Sequence, residues 1–100
     1  MENKLPPVHP GEILREELDG LNISASAFAK SLSVPTNRIT EILNERRRIT
    51  SDTALRLSRY FGTSAEFWMN LQQAYDLKKA RESIWSEIEV AVRPLCVNTL

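Results

Sequence analysis

Soft metal ligands are nearly missing from this sequence, which holds one cysteine, Cys96, and one histidine, His9. A single cysteine forbids an internal disulfide, and two such residues cannot build a structural zinc site. The same scarcity argues against catalysis. Ser24, Ser26, Ser31 and Ser33 have only His9 to activate them, and it lies in an N-terminal arm. No glycine-rich phosphate loop occurs, and the three glycines, Gly11, Gly20 and Gly62, each sit where a helix could end. No apolar run approaches the roughly 20 residues of a membrane helix, and the stretch from Met1 to Pro7 lacks the apolar core of a signal peptide. The expectation is a non-enzymatic protein of the bacterial cytoplasm, without metal, cofactor or membrane. Its 100 residues, 42% apolar and 26% charged, suit one soluble domain, with or without a tail, rather than two cores.

Charge is balanced in total and uneven along the chain. Residues 1–29 carry a net −3, residues 30–59 a net +4 and residues 60–100 a net −1. The basic middle rests on Lys30, Arg38, Arg46, Arg47, Arg48, Arg56 and Arg59. Position rather than total charge sets the local field, so this pattern points weakly to a polyanion. A basic face with no ligand fits the charge pattern equally well.

Apolar spacing is helical between the prolines and glycines. Pro10 opens a first helix carrying Ile13, Leu14 and Leu18, which is expected to stop near Gly20. Ser24 caps a second, with Ala27, Phe28, Ala29 and Leu32. Pro35 forces a turn at Ser33-Val34-Pro35, and a third helix opens at Pro35 or Thr36 with the stripe Ile39, Ile42 and Leu43. After a polar loop from Asn44 to Ile49, Thr50 or Ser51 caps a fourth, with Ala54, Leu55, Leu57, Tyr60 and Phe61 facing inward and Gly62 ending it. Ser64 opens a fifth, with Phe67, Trp68, Leu71, Ala74, Tyr75 and Leu77 on one broad face. Residues 82–92 suit either period. Ile84, Ile88 and Val92 are spaced as in a helix, while Ile88, Val90 and Val92 alternate as in a strand. A helix to about Val92 and an extended end are favoured. The fold class predicted is all-α, a bundle of five short helices, with an arm over 1–9, the domain over 10–80 and an extension over 81–100.

The segment from Ser24 to Asn44 carries the function. A helix-turn-helix needs a small residue in its first helix so that the second can cross closely. It also needs an apolar residue just after the turn, and an apolar stripe beneath a polar face on the second helix. Ala29, Val34 and the Ile39, Ile42, Leu43 stripe meet these demands. The outer face is then Thr36, Asn37, Arg38, Thr40 and Glu41, all able to bond a base edge or a phosphate. Ser24, Ser26, Lys30, Arg46, Arg47 and Arg48 are the candidate phosphate contacts. Of the three arginines, one or two are expected on phosphates and the rest paired with Glu45 or Asp52.

Three separated motifs resemble one known family: His9-Pro10-Gly11-Glu12, the helix-turn-helix from Ile23 to Asn44, and Phe67-Trp68-Met69-Asn70-Leu71-Gln72 running into Tyr75-Asp76-Leu77. Over residues 9 to 80 the chain resembles the HigA-type antitoxins, a branch of the phage-repressor-like (XRE/Cro) proteins. The resemblance implies a dimeric repressor on a palindromic double-stranded operator, which also neutralises a small RelE-like toxin that cleaves mRNA. It places base contacts at Thr36, Asn37 and Arg38, with Thr40 and Glu41 beyond, and a phosphate contact at Asn44. A stand-alone phage- or plasmid-type regulator without a toxin is the alternative. His9-Pro10-Gly11-Glu12 reads as structural, with Glu12 favouring the helix dipole. Phe67, Trp68, Leu71 and Tyr75 are expected in the core or, preferably, in the dimer interface. Acidic Glu12, Glu16, Glu17 and Asp19 either solvate an exposed face, the favoured reading, or face a basic toxin. Cys96 has no neighbouring cation to make its thiol reactive.

Overall fold

The chain closes each helix with a device written in its own sequence. In the computed structural model, which describes residues 7–95, the helices are α1 (Pro10–Leu21), α2 (Ala25–Leu32), α3 (Thr36–Leu43), α4 (Ser51–Phe61) and α5 (Ala65–Ala91). Among the described residues there is no strand, so the all-α reading holds. Cys96, the rest of the end expected to be extended (97–100) and residues 1–6 of the arm lie outside the described residues.

Ser24, Thr50 and Ser64 cap α2, α4 and α5 as expected, each accepting from the backbone N–H three residues on. Helix α1 begins differently. Its cap is His9, whose Nδ1 accepts from the Gly11 N–H at 2.9 Å. Nor does α1 stop at Gly20. It ends at Asn22, which takes the left-handed conformation (φ 57°), while the Ile23 N–H returns to the Leu18 carbonyl. Asparagine tolerates that region, and Gly20 remains inside the helix. Ser33 ends α2 the same way, and the Val34 N–H closes on the Ala29 carbonyl. That closure is the turn between α2 and α3.

The core joins all five helices: Leu14 and Leu18, Phe28, Ala29 and Leu32, Ile39 and Ile42, Ala54 and Leu57, and Trp68, with Ile49 from the loop after α3. Phe28, Tyr60, Phe61 and Trp68 form a chain of ring contacts 5.1–5.9 Å apart linking α2, α4 and α5. Leu55 was expected inside and is instead 61% exposed. Adjacent positions on a helix point about 100° apart, so buried Ala54 and Leu57 leave Leu55 no room on the same side.

Four helices are short, as expected, and α5 is not. Its 27 residues span about 40 Å and run unbroken through the expected boundary at residue 80. From Arg81 onward every described residue is exposed, and the molecule measures 55 × 23 × 22 Å.

Helices α1 and α3 meet at Gly11, which is buried. A Cβ built there would lie 1.9 Å from the Ile42 carbonyl oxygen, so the backbones approach as closely as only glycine allows. Gly20, in the same helix, has nothing within 4 Å. Gly11→Ala should therefore destabilise the fold by about 1–3 kcal/mol, while Gly20→Ala should stabilise it by about 0.5–1 kcal/mol. Chemical denaturation of both variants checks the contrast, and equal effects would remove the close-approach explanation.

Candidate nucleic-acid interface

Buried Ile39 and Ile42, with half-buried Leu43, define the inner side of α3. Stepping about 100° per residue, Asn37, Glu41 and Asn44 form the line facing directly outward, at spacings of four and three. Thr36 and Thr40 run beside them. Arg38 lies round the other flank, towards α4, where its Nη1 donates to Asp52 Oδ2 at 2.6 Å. The same oxygen accepts from Arg56 Nε at 3.0 Å, and Arg56 Nη1 also donates to the Leu32 carbonyl at 2.9 Å. The bonds from Arg56 and then Arg38 hold the Asp52 carboxyl below its ordinary acidity range. In the free protein, Arg38 belongs to this bridge between α3, α4 and the end of α2.

The segment after α3 shows which cations remain available. Arg47 donates from both Nε and Nη2 to Glu41 Oε1, at 2.7 and 2.6 Å. Arg48 Nη2 donates to Asp76 Oδ2 on α5 at 2.5 Å. The partners are thus Glu41 and Asp76, not the expected Glu45 and Asp52, because Arg38 and Arg56 already occupy Asp52. Among the described residues Arg46 forms no ion pair and is exposed. Thr36, Asn37, Thr40, Glu41, Asn44, Arg46 and Arg47 come together on α3 and the segment that follows it. Arg48 is turned to α5 instead. Ser24, Ser26 and Lys30 are exposed on α2, with Ser24 engaged as the cap. The first turn of that helix presents the backbone N–H groups and positive dipole end that suit a phosphate.

Several residues that position this surface had been passed over. Arg15 Nη2 on α1 donates to the Leu43 carbonyl at 3.2 Å and to Asn44 Oδ1 at 3.4 Å, closing the end of α3. Gln72 is 2% exposed, and its Oε1 accepts from the Ile49 N–H at 2.6 Å. Its Nε2 donates to Asp76 Oδ1 at 3.0 Å. Burial pushes the Asp76 carboxyl up, and hydrogen bonds from Arg48 and Gln72 more than offset this, leaving it below the ordinary value. A signal for Gln72 was present: it sits one helical turn after Trp68 and one before Asp76, a polar residue on an inward face.

The expected dimer residues do not form one outer face. Trp68 is 2% exposed, a core residue of its own protomer whose indole N–H donates to Thr63 at 3.3 Å. Tyr75 packs edge-on against His9 at 4.8 Å, and Leu71 is half-buried against the core. Phe67 alone of the four is exposed.

The helix-turn-helix family model matches residues 14–68. A structure of an addiction module antidote protein of the HigA family from Coxiella burnetii is 55% identical, with a TM-score of 0.89 over 91% of this chain and 100% of that one. The chain belongs to the HigA family of helix-turn-helix proteins. The Pseudomonas aeruginosa antitoxin HigA, seen with the higBA promoter, is 47% identical, with a TM-score of 0.88 over 90% of this chain and 99% of that one. Virulence-associated protein I of Dichelobacter nodosus is 57% identical over 82 residues, 81% of this chain and 76% of that protein. As a HigA-family helix-turn-helix protein the chain is a DNA-binding regulator, not an enzyme.

In this HigA-family chain the first motif acts through burial. His9 is 3% exposed, and burial lowers its pKa below the ordinary 6.5, partly opposed by the Glu45 and Asp76 carboxylates. Its Nδ1 must be unprotonated to accept from Gly11. A histidine with a depressed folded pKa contributes stability that is complete above the unfolded value and is lost as pH falls through it. Stability should therefore decline as pH drops from 7 through 6.5 towards 5, well above the range where Asp52 and Asp76 titrate. His9→Asn keeps an acceptor at the cap and should flatten that slope. Denaturation midpoints across pH 5–7.5 measure it, and an unchanged slope in the variant would assign the effect elsewhere.

Proposed function

We propose that this protein is a cytoplasmic bacterial antitoxin that represses its own operon as a homodimer and neutralises a small RelE-like, mRNA-cleaving toxin. The observation that carries the repressor half is the outward line Asn37, Glu41, Asn44, flanked by Thr36, Thr40 and exposed Arg46, which has no ion-pair partner among the described residues. Such a surface suits a major groove: an asparagine amide matches adenine in two hydrogen bonds, and a cation beside it meets phosphate. The promoter-bound Pseudomonas aeruginosa relative supports the same use of the fold. Glu41 would repel the duplex on its own. Its bond to Arg47 offsets that charge, so the readout falls mainly to Asn37 and the threonines.

A palindromic site requires a twin α3 about one DNA turn away, roughly 34 Å. The second copy is met through the outer side of α5. Phe67, Asn70, Ala74, Leu77, Arg81, Ile84, Ile88 and Ala91 follow alternating steps of three and four residues, the spacing of a helix-pairing seam, and all eight are exposed. Trp85 and Val92 border the seam. This seam replaces Trp68, Leu71 and Tyr75 as the dimer surface and keeps Phe67.

The antitoxin half rests on family membership and on α1. Glu12, Glu16 and Asp19 form one exposed stripe opposite Leu14 and Leu18, and Glu17 is exposed on a separate flank next to Leu14. Among the described residues none of the four is in an ion pair. Like charges on one helix face cost stability and favour a basic partner.

Mobility shifts on the promoter palindrome, its half-site and random duplex test the repressor. Asn37→Ala should cost about 1–3 kcal/mol on the palindrome and relax base preference. Arg46→Ala should weaken every duplex alike and reduce the salt slope by about 1. Ile88→Glu should bind the palindrome no better than the half-site. Identical losses for Asn37→Ala and Arg46→Ala on palindrome and random DNA would refute the assignment of roles.

Co-expression with the adjacent reading frame tests the antitoxin. Growth arrest by the neighbour, relieved by this chain, is expected. A harmless neighbour would leave a stand-alone regulator.

A further inference from the structure

We infer that Arg48, Asp76 and Gln72 form a clamp that positions the segment from Asn44 to Ile49, so that Arg48 is a positioning residue rather than a phosphate contact. The inference rests on the DNA-binding reading above and deepens it.

Gln72 spends both ends of its buried amide, one on the Ile49 N–H and the other on Asp76. A buried amide satisfied in this way has little freedom to turn, and losing it would leave the Ile49 N–H without a partner in the core. The remaining oxygen of Asp76 holds Arg48, the residue before Ile49. Two consecutive residues of the segment are thereby fixed to α5, one through its backbone and the other through its side chain. The other end is fixed to α3. Glu45 is left-handed (φ 61°), its N–H closes on the Ile42 carbonyl, and the Arg46 N–H closes on the Glu41 carbonyl at 2.8 Å. Arg47, between the two anchors, is held by Glu41. Only the Arg46 side chain, among the described residues of the segment's three arginines, has no carboxylate partner. The frame thus aims one cation at the backbone while neutralising its two neighbours.

The two roles for Arg48 predict opposite signs for one substitution. If Arg48 met phosphate, removing the Asp76 carboxylate would free a cation and delete a repelling charge, so binding would hold or tighten. If Arg48 positions the segment, the same change loosens the frame and binding weakens.

The test measures equilibrium binding of the full chain to a duplex of its own promoter and to random duplex across a salt series. It compares wild type, Asp76→Ala, Arg48→Ala and the double variant, with Asp76→Asn as a near-isosteric form should Asp76→Ala fold poorly. Expected is a loss of about tenfold on the promoter for each single variant, with the wild-type salt slope retained and the double variant no weaker than either single one. Folded fraction, read from far-UV circular dichroism at the assay temperature, is the control: a loss of affinity that only matches a smaller folded fraction overturns the clamp. Arg48→Ala lowering the slope by about 1, while Asp76→Ala binds at least as tightly as wild type, overturns the clamp. Wild type showing no preference for its promoter overturns the DNA-binding reading itself, and the clamp with it.

Discussion

Everything at the reading surface depends on how closely the N-terminus of α1 can approach the end of α3. Gly11 permits that approach by having no side chain to meet the Ile42 carbonyl. Once the backbones are that near, His9 can cap α1 and still reach Tyr75 on α5. Arg15, one turn along α1, can reach past Leu43 to Asn44. Helix α3 is only eight residues long and has no side-chain cap at Pro35. So short a helix has little stability of its own, and its direction is imposed by what grips its ends. The grip comes from α1 and α5 at one end and from the α2 turn with Arg56 and Asp52 at the other.

Electrostatics are organised in the same sparing way. The basic middle of the sequence carries seven cations, and among the described residues the folded chain pairs four of them with carboxylates. Arg38, Arg47, Arg48 and Arg56 each face a carboxylate. Exposed ion pairs of this kind add little stability individually, so their main effect is on where charge is allowed to appear. Among the described residues of α3 and the segment after it, Arg46 alone of the arginines faces no carboxylate, so in the proposed complex the base-facing residues carry more of the selectivity than bulk attraction does.

Much of this was legible in the residues, for reasons that are local. The α2 cap, the turn around Val34 and the inner stripe of α3 depend on neighbours within a few positions and appear as read, and the polar face above them does so except for Arg38, which turns to Asp52. The departures have non-local causes. Asn22 rather than Gly20 ends α1 because its αL backbone lets the Ile23 N–H close on Leu18, a choice between two suitable residues that composition alone leaves open. The arginine partners depend on which carboxylates α4 and α5 bring near, separations of 14 and 28 residues. The sequence places His9 in an N-terminal arm and in a structural motif, but nothing adjacent to it shows that Tyr75 and the α1–α3 contact enclose it.

Helix α5 misled for a physical reason that also explains its role. Trp68, Gln72, Tyr75 and Asp76 project to one side, into the domain. Phe67, Ala74, Leu77, Ile84 and Ile88 project to the other. Read as one apolar face, the two sets merge, and Trp68 and Phe67, whose rings touch at 5.1 Å, appear to share a role although Trp68 turns into the domain and Phe67 turns about 100° away from it to solvent. Because α5 is continuous through residue 80, a partner held on its outer side is connected by a rigid rod to Gln72 and Asp76 on its inner side. Those two residues hold the segment that follows the reading helix. If the second copy sits on the outer side of α5 as proposed, the spacing of the paired α3 helices and the placement of the cation beside each are set by the same element, and a displacement of α5 against its domain alters both together.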